Sequence, residues 1–325
     1  MTSGAEQALQ TFGNARLEGI LQALTTNYIR NCLVTLDDAK RTLHIYGLRV
    51  AHLRGITVQT KPEKIEMMDL VPIPRQILKA QKFINLFVNY FFVQGLPVLH
   101  TISRNIHFRT IELLMNKNKA SEQDPTKAVL RVLQMYRKQE LQVSQINGDN
   151  EFKNTEDTIR PTRLQIVGAG EHVGDMEHSV RTLKERTRYH IHRLPYKRYP
   201  MIMVAGMILH ITKSLNNFLS IMGIKLNMSP ASIVTGCASI NFNSIMKLNF
   251  RNYAQVHEIS HITNGNKPRT IGPIALYPRS DTGWYLMSLE LGEKIHRYKM
   301  DIITGYRQSS TVSGKFWQKI ISNNI

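Results

Sequence analysis

The chemistry this chain could do begins with two acids, Asp149 and Glu177. Asp149 closes a strand-like run, Leu141 to Ile146 followed by Asn147-Gly148. Glu177 opens a helix that carries Arg181, Lys184 and Arg188 at i+4, i+7 and i+11. One helix face thus shows a carboxylate and then a basic stripe. Two hard oxygen ligands beside cationic side chains suit Mg²⁺ and a phosphodiester. Taken singly, each acid reads as a solvated surface charge. From Arg181 to Pro200 the chain has seven Lys/Arg, including Arg193, Lys197 and Arg198, against one Glu, with Tyr189, Tyr196 and Tyr199 interleaved. A solvated helix face would carry more compensating acids. The combination fits a surface that follows a phosphate backbone.

Two other patterns compete. Gly168-x-Gly170-x-x-x-Gly174 lies between a strand and a helix, the setting of a dinucleotide-binding turn. The helix after it is highly charged, whereas a Rossmann helix must pack a face on its sheet, and the strand before it is the fifth rather than the first. His257-Glu258-Ile259-Ser260-His261 matches H-E-x-x-H. Zinc chemistry there needs both histidines on one helical turn and a third ligand. Tyr253 to Val256 reads as strand, and Asn264-Gly265-Asn266 would end any helix within a turn. Both patterns therefore rank below the phosphodiester reading.

The elements that must position these groups follow from periodicity. Leu17, Ile20, Leu21 and Leu24 recur at helical spacing, and Thr35 with Asp37 and Asp38 reads as an N-cap followed by a first acidic turn. Pro62, Pro72 and Pro74 mark a linker. Ile84 to Val93 is nearly continuous in apolar residues, as in a buried strand. Strands Val98 to Ile102 and His107 to Leu113 follow. Asp124-Pro125 opens a helix with Val129, Val132, Leu133 and Tyr136 on one face. Leu141 to Ile146 and Leu164 to Val167 are further strands, and a charged helix runs from Asp175 to His190. This order is a mixed α/β pattern. An apolar helix runs from Met201 to Leu219, and Ser229-Pro230 caps a short helix ending near Gly236. Beyond Lys247 come short strands: Thr270 to Leu276, then Trp284 to Leu289 and Lys294 to Lys299 as a hairpin.

The 325 residues include 42 Lys+Arg and 24 Asp+Glu, a formal charge of +18. That excess favours a polyanionic partner. With 42% apolar and 8% aromatic residues, a largely disordered chain is excluded. The longest apolar run, Met201 to Leu209, is too short to span a bilayer, and no signal peptide is visible. Two cysteines, Cys32 and Cys237, build no disulfide framework. A reduced intracellular location, nuclear or cytoplasmic, is expected.

Gln145 to Phe152 and Glu171 to Glu185, with Ser229 to Gly236, Gly272 to Tyr277 and Gly283 to Leu289, resemble the integrase region of copia-type retrotransposon polyproteins. The resemblance implies an α/β, RNase H-like mixed sheet flanked by helices, a helical N-terminal region and a small C-terminal β module. It implies an Asp-Asp-Glu triad that binds two Mg²⁺ ions and carries out DNA strand transfer. Asp149 matches the second Asp and Glu177 the Glu, while Arg181, Lys184, Arg188, Arg193, Lys197 and Arg198 would contact DNA. The first Asp should lie within Phe87 to Val93, where Asn89 stands instead.

An amide keeps an oxygen ligand but removes a negative charge that both metals would share. The interval from Asp149 to Glu177, with 27 residues between, is shorter than the family's usual one. Cys32, His44 and His52 do not form the family's zinc set, so no zinc is expected. A reverse transcriptase, which the resemblance places after the integrase region of a complete polyprotein, is not expected within these 325 residues. The expectation is a decayed integrase fragment whose Mg²⁺ site is weakened or lost. The alternative is a non-enzymatic basic nucleic-acid-binding protein. On the integrase reading the partners would be retroelement ends and target DNA, with no membrane and with homo-oligomer formation left open. The expected division is 1–78, helical region and linker; 79–222, RNase H core; 223–247, connecting helix; 248–303, β-barrel-like module; and 304–325, tail.

Overall fold

The computed structural model describes residues 17–26, 28, 31–32, 34–46, 53–55, 73–114, 125–168, 174–194, 199–219, 228–236, 247–257, 266–279 and 283–302. Two compact units divide the chain. The larger holds Ile65–Phe250 and Leu276–Tyr285, and the smaller holds Met1–Lys64, Arg251–Ala275 and Leu286–Ser322.

The larger unit is a mixed α/β structure. Its five-stranded sheet has the order β3-β2-β1-β4-β5, formed by β1 (Phe83–Val93), β2 (Leu96–Ser103), β3 (Arg109–Leu113), β4 (Gln142–Gly148) and β5 (Arg163–Ile166). The first three strands pair antiparallel; β4 joins β1 in parallel, and β5 joins β4 likewise. This is the RNase H-like mixed sheet that the resemblance implies. β1 is central, which explains its nearly continuous apolar run. Gln94 and Gly95 make the two-residue turn into β2 with φ of 50° and 80°, the left-handed pair that a tight hairpin needs.

The strand period of two sends alternate β1 side chains to opposite faces. Ile84, Leu86 and Val88 join the core beneath helix α4 (Pro125–Arg137), together with its buried stripe Ala128, Val129, Val132, Leu133 and Tyr136. (Helices α1, Leu17–Thr25, α2, Leu36–Tyr46, and α3, Arg75–Ala80, precede it.) Asn89 and Phe91 point to the other face. There α5 (Gly174–His192) lies on β1 and β2, and α6 (Met201–Asn217) lies on β3. The charge of α5 does not stop it from packing on the sheet, contrary to the expectation used against the glycine pattern. Met176, Ser179, Leu183 and Thr187 make a narrow buried stripe, and small polar residues serve in it because their hydroxyls find partners.

Local signals decide several ends. Ser229 Oγ accepts the Ser232 N–H at 3.1 Å, Pro230 is the first residue of α7 (Pro230–Thr235), and Gly236 closes it at φ 72°. Thr35 and Asp38 cap α2 reciprocally, each side chain accepting the other's N–H at 3.2 Å. The Thr35 hydroxyl, donating to the Asp38 carboxylate at 2.6 Å, and then the Thr35 N–H hold that carboxyl below its ordinary pKa.

In the C-terminal β module, one three-stranded sheet joins β11 (Met300–Ile302), β6 (Ala254–His257) and β7 (Thr270–Ile271), paired antiparallel. The other has the order β10-β9-β8, with β8 Ile274–Pro278, β9 Trp284–Met287 and β10 Lys294–Arg297. The expected single strand from Thr270 to Leu276 is therefore split into β7 and β8. Pro273 lacks a ladder donor, and Tyr253 packs its hydroxyl where a side chain on Gly272 would be. Among the described residues no helix is long and apolar enough to cross a membrane.

Candidate functional site

Asn89, Asp149 and Glu177 line one cleft. β1 and β4 run in parallel register, with Phe87 opposite Asn147. Two residues further along, Asn89 and Asp149 come level at the end of the paired region and share a face. Gly148 permits the close approach: a Cβ there would lie 2.6 Å from Val88 Cγ1 and 3.0 Å from Phe152 Cδ2. The chain then turns. The Asp149 carbonyl accepts the Phe152 N–H at 3.0 Å, opening a 3₁₀ turn over Asn150–Thr155. Phe152 anchors that turn by stacking on Tyr90, with ring centroids 4.6 Å apart.

Glu177 comes from the first turn of α5. There the free amide dipoles of the helix end favour a negative charge. Met176 buries its side chain beside it, so the helix enters the cleft wall through a fixed apolar contact. The cleft has a volume of about 90 Å³, and its lining includes Asn147 and Gly148 besides these side chains. A water in the liquid takes about 30 Å³, so a cation with part of its hydration shell fits. The donors are two carboxylates and one neutral amide. Among the described residues no three His, Cys, Asp or Glu side chains gather to hold a metal.

Beyond Glu177 the basic residues stand in line. At about 100° per residue, Glu177, Arg181, Lys184 and Arg188 fall within an arc of about 60°, and all four are exposed. Lys184 Nζ lies 6.0 Å from the centre of the Phe91 ring. Just past the helix, Arg193 stacks its guanidinium 5.4 Å from the centre of the exposed Tyr189 ring and donates to the Tyr189 hydroxyl at 3.1 Å. Lys197 and Arg198 lie outside the described residues.

Beneath α5 runs a polar network that the sequence reading missed. His100, in the middle of β2 and opposite Asn89, is fully buried. Its Nδ1 faces the Thr110 carbonyl at 3.0 Å, and its Nε2 faces Ser179 Oγ at 2.9 Å. Arg109 Nε donates to the same Ser179 oxygen at 3.0 Å. Asn216 of α6 grips the Arg109 main chain, accepting its N–H at 2.9 Å and donating to its carbonyl at 2.7 Å. Burial pushes His100 down to about 4, and the Arg109 charge adds to the effect. Two signals pointed here: a lone histidine in the apolar run of β2, and a serine at a stripe position of α5.

The competing patterns fare differently. His257 ends strand β6, and its carbonyl accepts Arg297 Nε at 3.2 Å. An extended His257 cannot share a helical turn with His261. Glu258 to His261 lie outside the described residues, as do Gly170, Cys237 and His52. Gly174 begins α5 itself.

No known family model matches the chain, and no curated protein matches it. Among solved structures it is similar to the catalytic core domain of BIV integrase, at 16% identity. That likeness covers 46% of this chain and 93% of the other, with a TM-score of 0.33. The class of protein defined by this chain's own strand order is an α/β protein with an RNase H-like mixed sheet.

Proposed function

We propose that this chain is an integrase-like DNA-binding protein descended from a Mg²⁺-dependent strand transferase, with catalysis weakened or lost through Asn89. The observation that carries this reading is the meeting of Asn89, Asp149 and Glu177 at one cleft, with a basic ridge continuing along the same helix. Arg181, Lys184 and Arg188 would track a DNA backbone and hold a phosphodiester over the cleft. Arg193 and Tyr189 would offer a planar cation and a ring to unpaired bases.

The donor set fits one hard divalent cation: the Asp149 and Glu177 carboxylates with the Asn89 amide oxygen. A bound Mg²⁺ supplies Lewis-acid polarisation of the phosphodiester. The fit is poor for a shared pair of ions, because one of three carboxylates is missing. The chain's own contribution is to aim Asp149 from a strand end and Glu177 from a helix start, and to bring DNA to them by charge.

The test is Asn89→Asp, assayed for Mg²⁺-dependent strand transfer on a duplex with a free 3′ end. The variant should exceed wild type at least ~10-fold, equivalent to about 1.4 kcal/mol of transition-state stabilisation, and Asp149→Asn should erase the gain. Equal activity in wild type and variant would refute the assignment of Asn89. Binding without nicking in both proteins would leave the second reading, a DNA-binding protein that keeps only the fold.

A further inference from the structure

His100 and Ser179 do more than fill the space under α5. A carbonyl oxygen can only accept, so the bond to Thr110 places the ring hydrogen on Nδ1 of His100. Nε2 is then the acceptor, and the Ser179 hydroxyl donates to it. The same oxygen receives Arg109 Nε. Arg109 is steered in turn by the His107 carbonyl, to which Nη1 donates at 3.1 Å, and by Asn216. Each donor thus has one direction, and the network joins β2, β3, α5 and α6.

Ser179 is fully buried and stands two residues beyond Glu177. The apolar members of the α5 stripe, Met176 and Leu183, fix which side of the helix faces the sheet. Apolar contacts are non-directional and tolerate a modest roll of the helix. Hydrogen bonds lose strength steeply away from linearity and do not. A roll by one residue, about 100°, would carry Glu177 out of the cleft.

We propose that His100 and Ser179 form a positioning pair that sets the roll of α5, and so holds Glu177 against Asn89 and Asp149. The proposal rests on the site reading above, but it concerns placement rather than metal chemistry.

The test is built to separate the two. In a Cys32→Ser, Cys237→Ser background, Asp149→Cys and Glu177→Cys report cleft geometry through their rate of disulfide formation under a mild oxidant. Adding Ser179→Ala should slow cross-linking at least ~5-fold, while Ser179→Thr, which keeps the hydroxyl, should restore the rate. His100→Gln provides a second break in the pair if Ser179→Ala does not fold, as judged by circular dichroism. Unchanged rates in a folded Ser179→Ala or His100→Gln protein would overturn the proposal. Separately, Mn²⁺ affinity is measured on the chain with Asp149 and Glu177 intact. If cross-linking depends on Ser179 and no Mn²⁺ binds, the metal reading fails and the positioning pair stands.

Discussion

Lowering the pH from 7 to 5 should destabilise this protein through two histidines, the buried His100 and the half-buried His210. His100 is locked neutral between Thr110 and Ser179, and His210 is packed among His190, Phe250 and Trp284. Burial pushes each down to about 4 from the ordinary 6.5, helped for His100 by the Arg109 charge and for His210 by His190. Below pH 6.5 the unfolded chain takes up protons that the folded chain refuses. Stability is therefore complete above that pH, falls as pH drops toward 4, and levels off below it. At 1.36 kcal/mol per pKa unit, each histidine contributes about 3 kcal/mol over the full window. About 2 kcal/mol of each share is gone by pH 5. The combined loss of about 4 kcal/mol at pH 5 is large against a typical stability of about 5–15 kcal/mol. His107, shifted down by burial and by Arg109, acts with the same sign. Urea unfolding followed by circular dichroism at pH 7, 6 and 5 measures the effect. His100→Gln should remove roughly half of the pH dependence. A wild type equally stable at pH 7 and 5, or a His100→Gln variant with the wild-type slope, would refute the reasoning.

Three further predictions follow from the geometry. Gly148→Ala places a methyl against Val88 and Phe152; it should cost about 1–3 kcal/mol in thermal unfolding and weaken whatever binds at Asp149. Ser229→Ala removes the acceptor for the Ser232 N–H and should cost about 1 kcal/mol by urea titration. Replacing Arg181, Lys184 and Arg188 together by Gln should flatten the slope of log K against log salt for duplex DNA by about 3; an unchanged slope would take the ridge out of the interface.

Short-range physics made much of this protein readable from its residues. The hydrophobic period marked β1 and the buried face of α4. Ser229, Pro230 and Gly236 marked both ends of α7, and Thr35 and Asp38 marked the start of α2. Asp149 and Glu177 could be placed at a strand end and a helix start because those ends are governed by neighbours a few residues away. Tertiary structure decided what lies further apart. The parallel register of β1 and β4 brings Asn89 level with Asp149, and no local pattern specifies register. The split at Gly272-Pro273 depends on Tyr253 arriving from the chain just before β6. α5 reads as too charged to pack, yet it packs because His100 and Arg109 on the sheet meet Ser179 across 79 and 70 residues of chain. A buried polar side chain is tolerated only with partners, and only the folded chain shows which ones it has.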